Sequence, residues 1–187
     1  MVLYKVLRNG GNKVLVTKVV GCILIILSSS LMGFYYGNEL KNRVNDLKEL
    51  KKLIILLRGD IRFSNTPLPE AISGIARRHD GSFKGFFTGV SEKLSEYSGN
   101  TFSQVWKEAV ENQLHSTSLN KKDKSSLIQF GENLGYLDKE MQMNTIELFI
   151  NQMEDELQDL SETTKEKVYL YKSLGIMGGI FISIIMI

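Results

Sequence analysis

The sequence predicts an all-α chain: an antiparallel bundle of about six helices whose first and last members extend into membrane segments. Three observations carry that expectation. Apolar residues recur at three- and four-residue steps through most of the chain. No alternating strand pattern and no Asn-Gly hairpin occurs. Each end also holds an uncharged run on the scale of a bilayer.

The first run lies between Lys18 and Glu39, VVGCILIILSSSLMGFYYGN. As a helix it spans about 30 Å, the hydrocarbon thickness. Tyr35 and Tyr36 sit at one end, where interfacial aromatics belong. A cleaved signal peptide shares the basic start, but no small-x-small cleavage site follows cleanly. The second run, from Ser173 to Ile187, is uncharged. With Val168 to Lys172 it also reaches about 30 Å, provided Lys172 snorkels to the interface. Its rival reading is a buried core helix, which a run apolar on every face suits less well. The expected division is a basic N-terminal extension over 1–18, a membrane helix over 19–38, a soluble helical domain over 39–167 and a second membrane helix over 168–187. Cys22, the lone cysteine, cannot form an intrachain disulfide and reads as a small apolar filler.

All 21 acidic residues fall between Glu39 and Glu166. That window carries a net charge of −3 and the ends carry +5. A mildly acidic middle without a basic stripe interleaved with aromatics argues against nucleic acid as a partner.

The soluble part is read helix by helix. Leu40, Val44, Leu47, Leu50, Leu53, Ile54, Leu57 and Ile61 keep the helical period, and no proline separates them from the first membrane run. Pro67 and Pro69, the two prolines of the chain, come next. With Thr66 as N-cap they occupy N1 and N3, where the N–H groups have no intrahelical acceptor. Glu70 complements the positive helix end, and Leu68, Ala71, Ile72, Ile75 and Ala76 face the core. The prolines also stop the preceding helix near Asn65.

A third helix carries Phe83, Phe86, Phe87, Val90, Leu94 and Tyr97 and ends at Ser98-Gly99-Asn100. Thr101 with Gln104 forms a capping box for a fourth, whose stripe is Phe102, Val105, Trp106, Ala109, Val110 and Leu114. His115 to Asp123 reads as a polar loop, and Leu127, Ile128, Phe130 and Leu134 as the inner face of a short fifth helix. Gly135 fits a C′ position with positive φ, against which Tyr136 packs back. Asp138 then caps a last helix that runs on into the second membrane segment. Its apolar face is Met141, Thr145, Leu148, Phe149, Met153, Leu157 and Leu160.

Catalysis needs a constellation, and none is present. His79 and His115 have no cysteine or acidic partners at metal-ligand spacing. No P-loop, Gly-x-Ser-x-Gly turn or dinucleotide fingerprint occurs, so neither a catalytic residue, a metal nor a cofactor is expected. The densest charge cluster is Glu154, Asp155, Glu156, Asp159 and Glu162. It reads either as a solvated helix face or as a docking surface for a basic partner. Lys121, Lys122 and Lys124 form a small opposite patch. In the membrane runs, Ser29, Gly33 and Gly37, and Gly175 with Gly179, recur every fourth position. Such faces let helices pack on each other or on sister subunits, although glycine is also simply common in membrane helices.

Two stretches have a family likeness. One is Thr66-Pro67-Leu68-Pro69-Glu70-Ala71; the other runs from Phe130 to Gln142 and includes Gly131, Leu134, Gly135, Asp138 and Gln142. With Lys172-Ser173-Leu174-Gly175 leading into an apolar tail, the chain resembles the stage III sporulation protein AB family from about Lys18 to Ile187. The resemblance implies a soluble domain similar to the cytoplasmic domains of inner-membrane platform proteins of type II secretion and type IV pilus machines. It further implies a non-enzymatic platform or adaptor in the membrane of the mother cell, within the channel that joins mother cell and forespore during engulfment. The implied partners are a cytoplasmic secretion-type ATPase, other membrane proteins of the channel, and further copies of the chain.

Met1 to Lys13 extend beyond that family's short N-terminus. Lys5, Arg8 and Lys13 favour a cytoplasmic N-terminus, while Lys41, Arg43, Lys48, Lys51 and Lys52 weigh equally on the other flank. Charge is balanced; the resemblance implies a cytoplasmic soluble domain.

Overall fold

The computed structural model of the chain describes residues 2–96, 99–135 and 138–186, with side chains from Thr17 to Ile185. Tyr97 and Tyr136, expected to pack on their helices, lie outside the described residues. Six α-helices follow in order: α1 Val2–Phe63, α2 Leu68–Arg78, α3 Lys84–Ser95, α4 Phe102–Gln113, α5 Lys121–Leu134 and α6 Lys139–Met186. The described residues contain no strand. The chain divides into two compact units, one formed by Met1–Lys41 with Thr163–Ile187 and the other by Asn42–Glu162. Two helices, through Thr17–Phe63 and Lys139–Ile185, are long and apolar enough to cross a membrane.

The Asn42–Glu162 unit is built on the periodicities of its helices. Leu47, Leu50, Leu53, Ile54, Leu57 and Ile61 of α1 are all buried. After Phe63 the chain turns through Asn65 in the left-handed region at φ 52°, which asparagine tolerates better than most residues. Thr66 N–H closes this turn on the Asp60 carbonyl at 3.2 Å. The expected cap shifts by one residue. Pro67 is the N-cap, with φ −58° and ψ 151°, and Thr66 makes no cap bond. The Pro67 carbonyl instead accepts the first helical bond, from Ala71 N–H at 3.0 Å, which places Pro69 at N2 among the donor-free positions. Leu68, Ala71, Ile72, Ile75 and Ala76 are buried, as their spacing predicts.

Thr101 and Gln104 do form a reciprocal capping box. The polar loop after α4 is shorter than the sequence suggests, because α5 begins at Lys121. Asn120 accepts from Asp123 N–H, and Asp123 accepts from Asn120 N–H, both at 2.9 Å. That pair is a capping box in Asn/Asp form, outside the usual Ser/Thr…Glu/Gln pattern.

Trp106 centres the core. Its ring meets Phe86 edge-on at 4.8 Å and Phe130 at 5.8 Å, and its Nε1–H donates to the Leu127 carbonyl at 2.8 Å. Phe130 in turn stacks on Phe149 of α6 at 4.4 Å. Burying each large side chain contributes about 1.5–3 kcal/mol. Gly131 makes room for the indole, since a Cβ there would lie 2.0 Å from Trp106 Cδ1. Gly135 is not a left-handed cap: it is right-handed at φ −71°. A Cβ at Gly135 would sit 3.2 Å from Phe102, so the position serves the close approach of α4.

Asp138 caps α6, accepting from Met141 N–H at 2.9 Å. The apolar face of α6 differs from the expected one. Met141 and Leu148 are 54 % and 60 % exposed, and Ile146 and Ile150 are buried in the core instead. Phe149, Met153, Leu157 and Leu160 are buried as expected.

Candidate docking groove and helix-pairing face

In the Asn42–Glu162 unit, α1 and α6 run antiparallel and are joined by ion pairs. Arg43, Lys51 and Arg58 meet Glu156, Glu154 and Glu147 at 2.8, 3.0 and 2.5 Å. Lys51 and Arg58 are seven residues apart, as are Glu147 and Glu154, so each pair shares one helix face. That matched spacing was readable in the sequence. Its pairing across more than 80 residues was not.

Arg43 is the most buried of these three basic side chains. It donates to both oxygens of Asp123, Nε to Oδ2 at 2.7 Å and Nη2 to Oδ1 at 2.8 Å, and Nη2 also reaches Glu156. Both side chains are largely buried, at 12 % and 4 % exposure. The Asp123 hydrogen bond holds the guanidinium's pKa above its ordinary value. Glu156 also accepts from Lys122, and that bond, with help from Arg43, holds its carboxyl below the usual range.

The acidic run is therefore divided in two. Glu154 and Glu156 are engaged in internal ion pairs. Asp155, Asp159 and Glu162 are exposed at the surface, where Gln158 donates to Glu162 at 3.4 Å. Lys121 is exposed, and Lys122, from the opposite basic patch, is the one that closes on Glu156.

Lys122, Asp155, Glu156 and Asp159 border a groove of about 360 Å³ between α5 and α6, floored by Leu47, Leu50, Phe149 and Met153, with Asp155 and Asp159 on its rim. A smaller cavity of about 100 Å³ continues it, lined by Thr145, Leu148 and Gln152 on α6 and by Gln129 and Asn133 on α5. Thr145, Leu148, Gln152, Asp155 and Asp159 thus form one stripe at three- and four-residue steps. Leu148, expected in the core, lies in this stripe. Among the described residues no group of three or more His, Cys, Asp or Glu side chains is arranged to hold a metal ion.

In the other unit the two apolar helix segments pair antiparallel through their small residues. A Cβ at Gly33 would fall 2.4 Å from the Tyr171 carbonyl oxygen, and one at Gly175 would fall 2.8 Å from that of Ser29. Ser29 Oγ donates to the Gly175 carbonyl at 2.6 Å. Gly179 packs on Ile26, and Gly37 on Val168. At the far end Ser183 Oγ donates to the Gly179 carbonyl at 2.8 Å and lies 3.4 Å from the Cys22 carbonyl. Ser183 extends the four-residue spacing of Gly175 and Gly179 by one turn, and Cys22 lies seven residues, about two turns, before Ser29 on the same face, which is the signal that would have found them. Of the residues of the two family-like stretches, Leu68 and Leu134 are buried, Asp138 caps α6, and Gln142 Nε2 donates to the Leu134 carbonyl across the α5–α6 turn at 3.4 Å.

Residues 18–187 match the sequence family described as Stage III sporulation protein AB (spore_III_AB). Stage III sporulation protein AB of Bacillus subtilis (strain 168) is 24 % identical over 169 residues, covering 90 % of this chain and 98 % of the relative. A solved structure of Stage III sporulation protein AB (SpoIIIAB) matches with a TM-score of 0.60 at 25 % identity, over 66 % of this chain and 97 % of that one. The chain belongs to the stage III sporulation protein AB family.

Proposed function

We propose that the chain is a membrane-anchored, non-enzymatic platform of the mother cell–forespore channel that docks a cytoplasmic secretion-type ATPase through the α5–α6 groove. Family membership gives it a role in sporulation; the platform reading adds a mechanism. Residues 19–38 and 168–187 are taken as the membrane anchor, and residues 39–167 as the cytoplasmic part.

The observation that carries this reading is the stripe on α6. It offers a leucine that is 60 % exposed and, two turns on, Asp155 and Asp159 on the rim of the groove. An exposed apolar anchor beside fixed negative charge suits a basic, partly apolar surface: burial supplies affinity and charge supplies orientation and speed of encounter.

The alternative is a scaffold that oligomerises through its membrane helices without recruiting a motor. Gly33 and Gly175 are already used against each other within one chain, which favours the docking reading. Co-purification of the ATPase with the full-length protein from sporulating cells tests it. Recovery with wild type and loss with Leu148→Glu are expected; equal recovery of both would contradict the docking site.

A further inference from the structure

We infer that Lys172 and the tyrosines around it form a binding site for the phosphate of an anionic phospholipid, in the leaflet at the end of the helix pair that holds Lys41 and Thr163. The inference rests on the reading of 19–38 and 168–187 as membrane-crossing. Within the helix-pairing unit, Gly33 faces Tyr171 and Gly37 faces Val168. Tyr35, Tyr36, Tyr169 and Tyr171 consequently share one level of the pair, and the Tyr36 and Tyr171 rings lie 6.2 Å apart. All four are exposed, by 42 % to 73 %. A ring of exposed tyrosines at one level is the arrangement that sits at a membrane–water interface.

Lys172 stands about 6 Å inside the 168–187 segment, and its extended stem is about as long. The stem passes Gly37, where a Cβ would lie 3.8 Å from Lys172 Cε, and the ammonium sits 5.0 Å from the centre of the Phe34 ring. Glycine at position 37 and phenylalanine at position 34 thus make a channel for this one side chain. Among the described residues the Phe34 face is the ammonium's one partner. A ring quadrupole offsets part of the cost of a desolvated cation but does not neutralise it. A lipid phosphate is the anion found at that depth, and it would complete the neutralisation. Lys41, Lys165 and Lys167 are exposed at the same end, against Glu39 and Glu166, so the surrounding field also favours an anionic headgroup.

The test is lipid retention by the full-length protein, read by native mass spectrometry from detergent with phosphatidylglycerol or phosphatidylcholine added. Wild type is expected to retain phosphatidylglycerol about fivefold better, the effect of one basic side chain at such a surface. Lys172→Met is expected to abolish the preference and Lys172→Arg to keep it. A preference unchanged in Lys172→Met would overturn the site. Displacement of the lipid by millimolar inorganic phosphate would likewise overturn it, as a free-phosphate site. Alkaline extraction of the wild-type chain from membranes separates the two levels: release would overturn the membrane reading itself, and retention with no lipid preference would overturn the site alone.

Discussion

Arg43 of α1 and Asp123 of α5 form a bidentate ion pair at 2.7 and 2.8 Å, although 80 residues separate them. The pair does two jobs, because Asp123 also caps its own helix through Asn120 N–H. Asp123→Ala removes both and leaves a mostly buried guanidinium with Glu156 as its remaining partner, with a predicted loss of about 3 kcal/mol, the lower end for breaking a buried pair. Arg43→Lys, which cannot donate in the bidentate fork, should cost less but measurably. Urea titration of the full-length protein in detergent, followed by the fluorescence of the single Trp106, checks both.

Gly131 has no room for a methyl group, since Trp106 Cδ1 would lie 2.0 Å away. Gly131→Ala must displace the indole and loosen its bond to the Leu127 carbonyl. A loss of about 1–3 kcal/mol is expected, with a red shift in Trp106 emission that a change elsewhere would not produce.

Two carboxyls give pH effects of opposite sign. Glu156 is held below its ordinary value of 4.5 by Lys122 and then Arg43. Its stabilisation is present above pH 4.5 and lost as the pH falls through the lowered folded value. Glu156→Gln should therefore weaken the fold at pH 7 and match wild type in strong acid. Asp46 is held above its ordinary 3.8, chiefly by burial, against the opposing bond from Ser118 N–H. Its ionisation costs stability as the pH rises through the raised folded value. Asp46→Asn keeps an acceptor for Ser118 N–H, which now reaches Asp46 Oδ2 at 2.6 Å. Stability equal to or above wild type at pH 7, with the gain shrinking on acidification, is the expected result of thermal melts across pH 3–8.

The antiparallel pairing of the apolar helices places Cys22 Sγ 3.8 Å from the Ser183 carbonyl. Ser183→Cys should accordingly form an intramolecular disulfide with Cys22 under mild oxidation in membranes. Adding Gly33→Ile, which drives a side chain into the Tyr171 carbonyl, should suppress that bond. A gel shift of the monomer band reads both outcomes; dimers linked through the new cysteine would point to pairing between chains instead.

The helices and two of their caps, the Thr101–Gln104 box and Asp138, were legible because they rest on local rules of apolar spacing and side-chain capping, as was the placing of two prolines in a first turn. Three of the failures share one cause. Leu148 and Met141 fit a helical stripe as well as Ile146 and Ile150 do, and only the direction of the neighbouring helices decides which stripe turns inward. Gly135 looked like a turn glycine because its reason for being small, Phe102 on α4, is distant in sequence. The acidic run read as one surface because nothing local marks Glu154 and Glu156 as partners of Lys51 and Arg43. The small-residue spacing on the apolar helices was visible, but whether its partner was the same chain was not.

The groove between α5 and α6 is the centre of the functional account, and binding of the purified ATPase to the full-length protein in nanodiscs tests it most directly. Reversing the rim charges with Asp155→Lys and Asp159→Lys, which leaves the Glu154 and Glu156 ion pairs in place, should weaken binding about tenfold or more at low salt. The difference should narrow as salt is raised. Binding of equal strength to wild type and the charge-reversed protein at low salt would contradict the account.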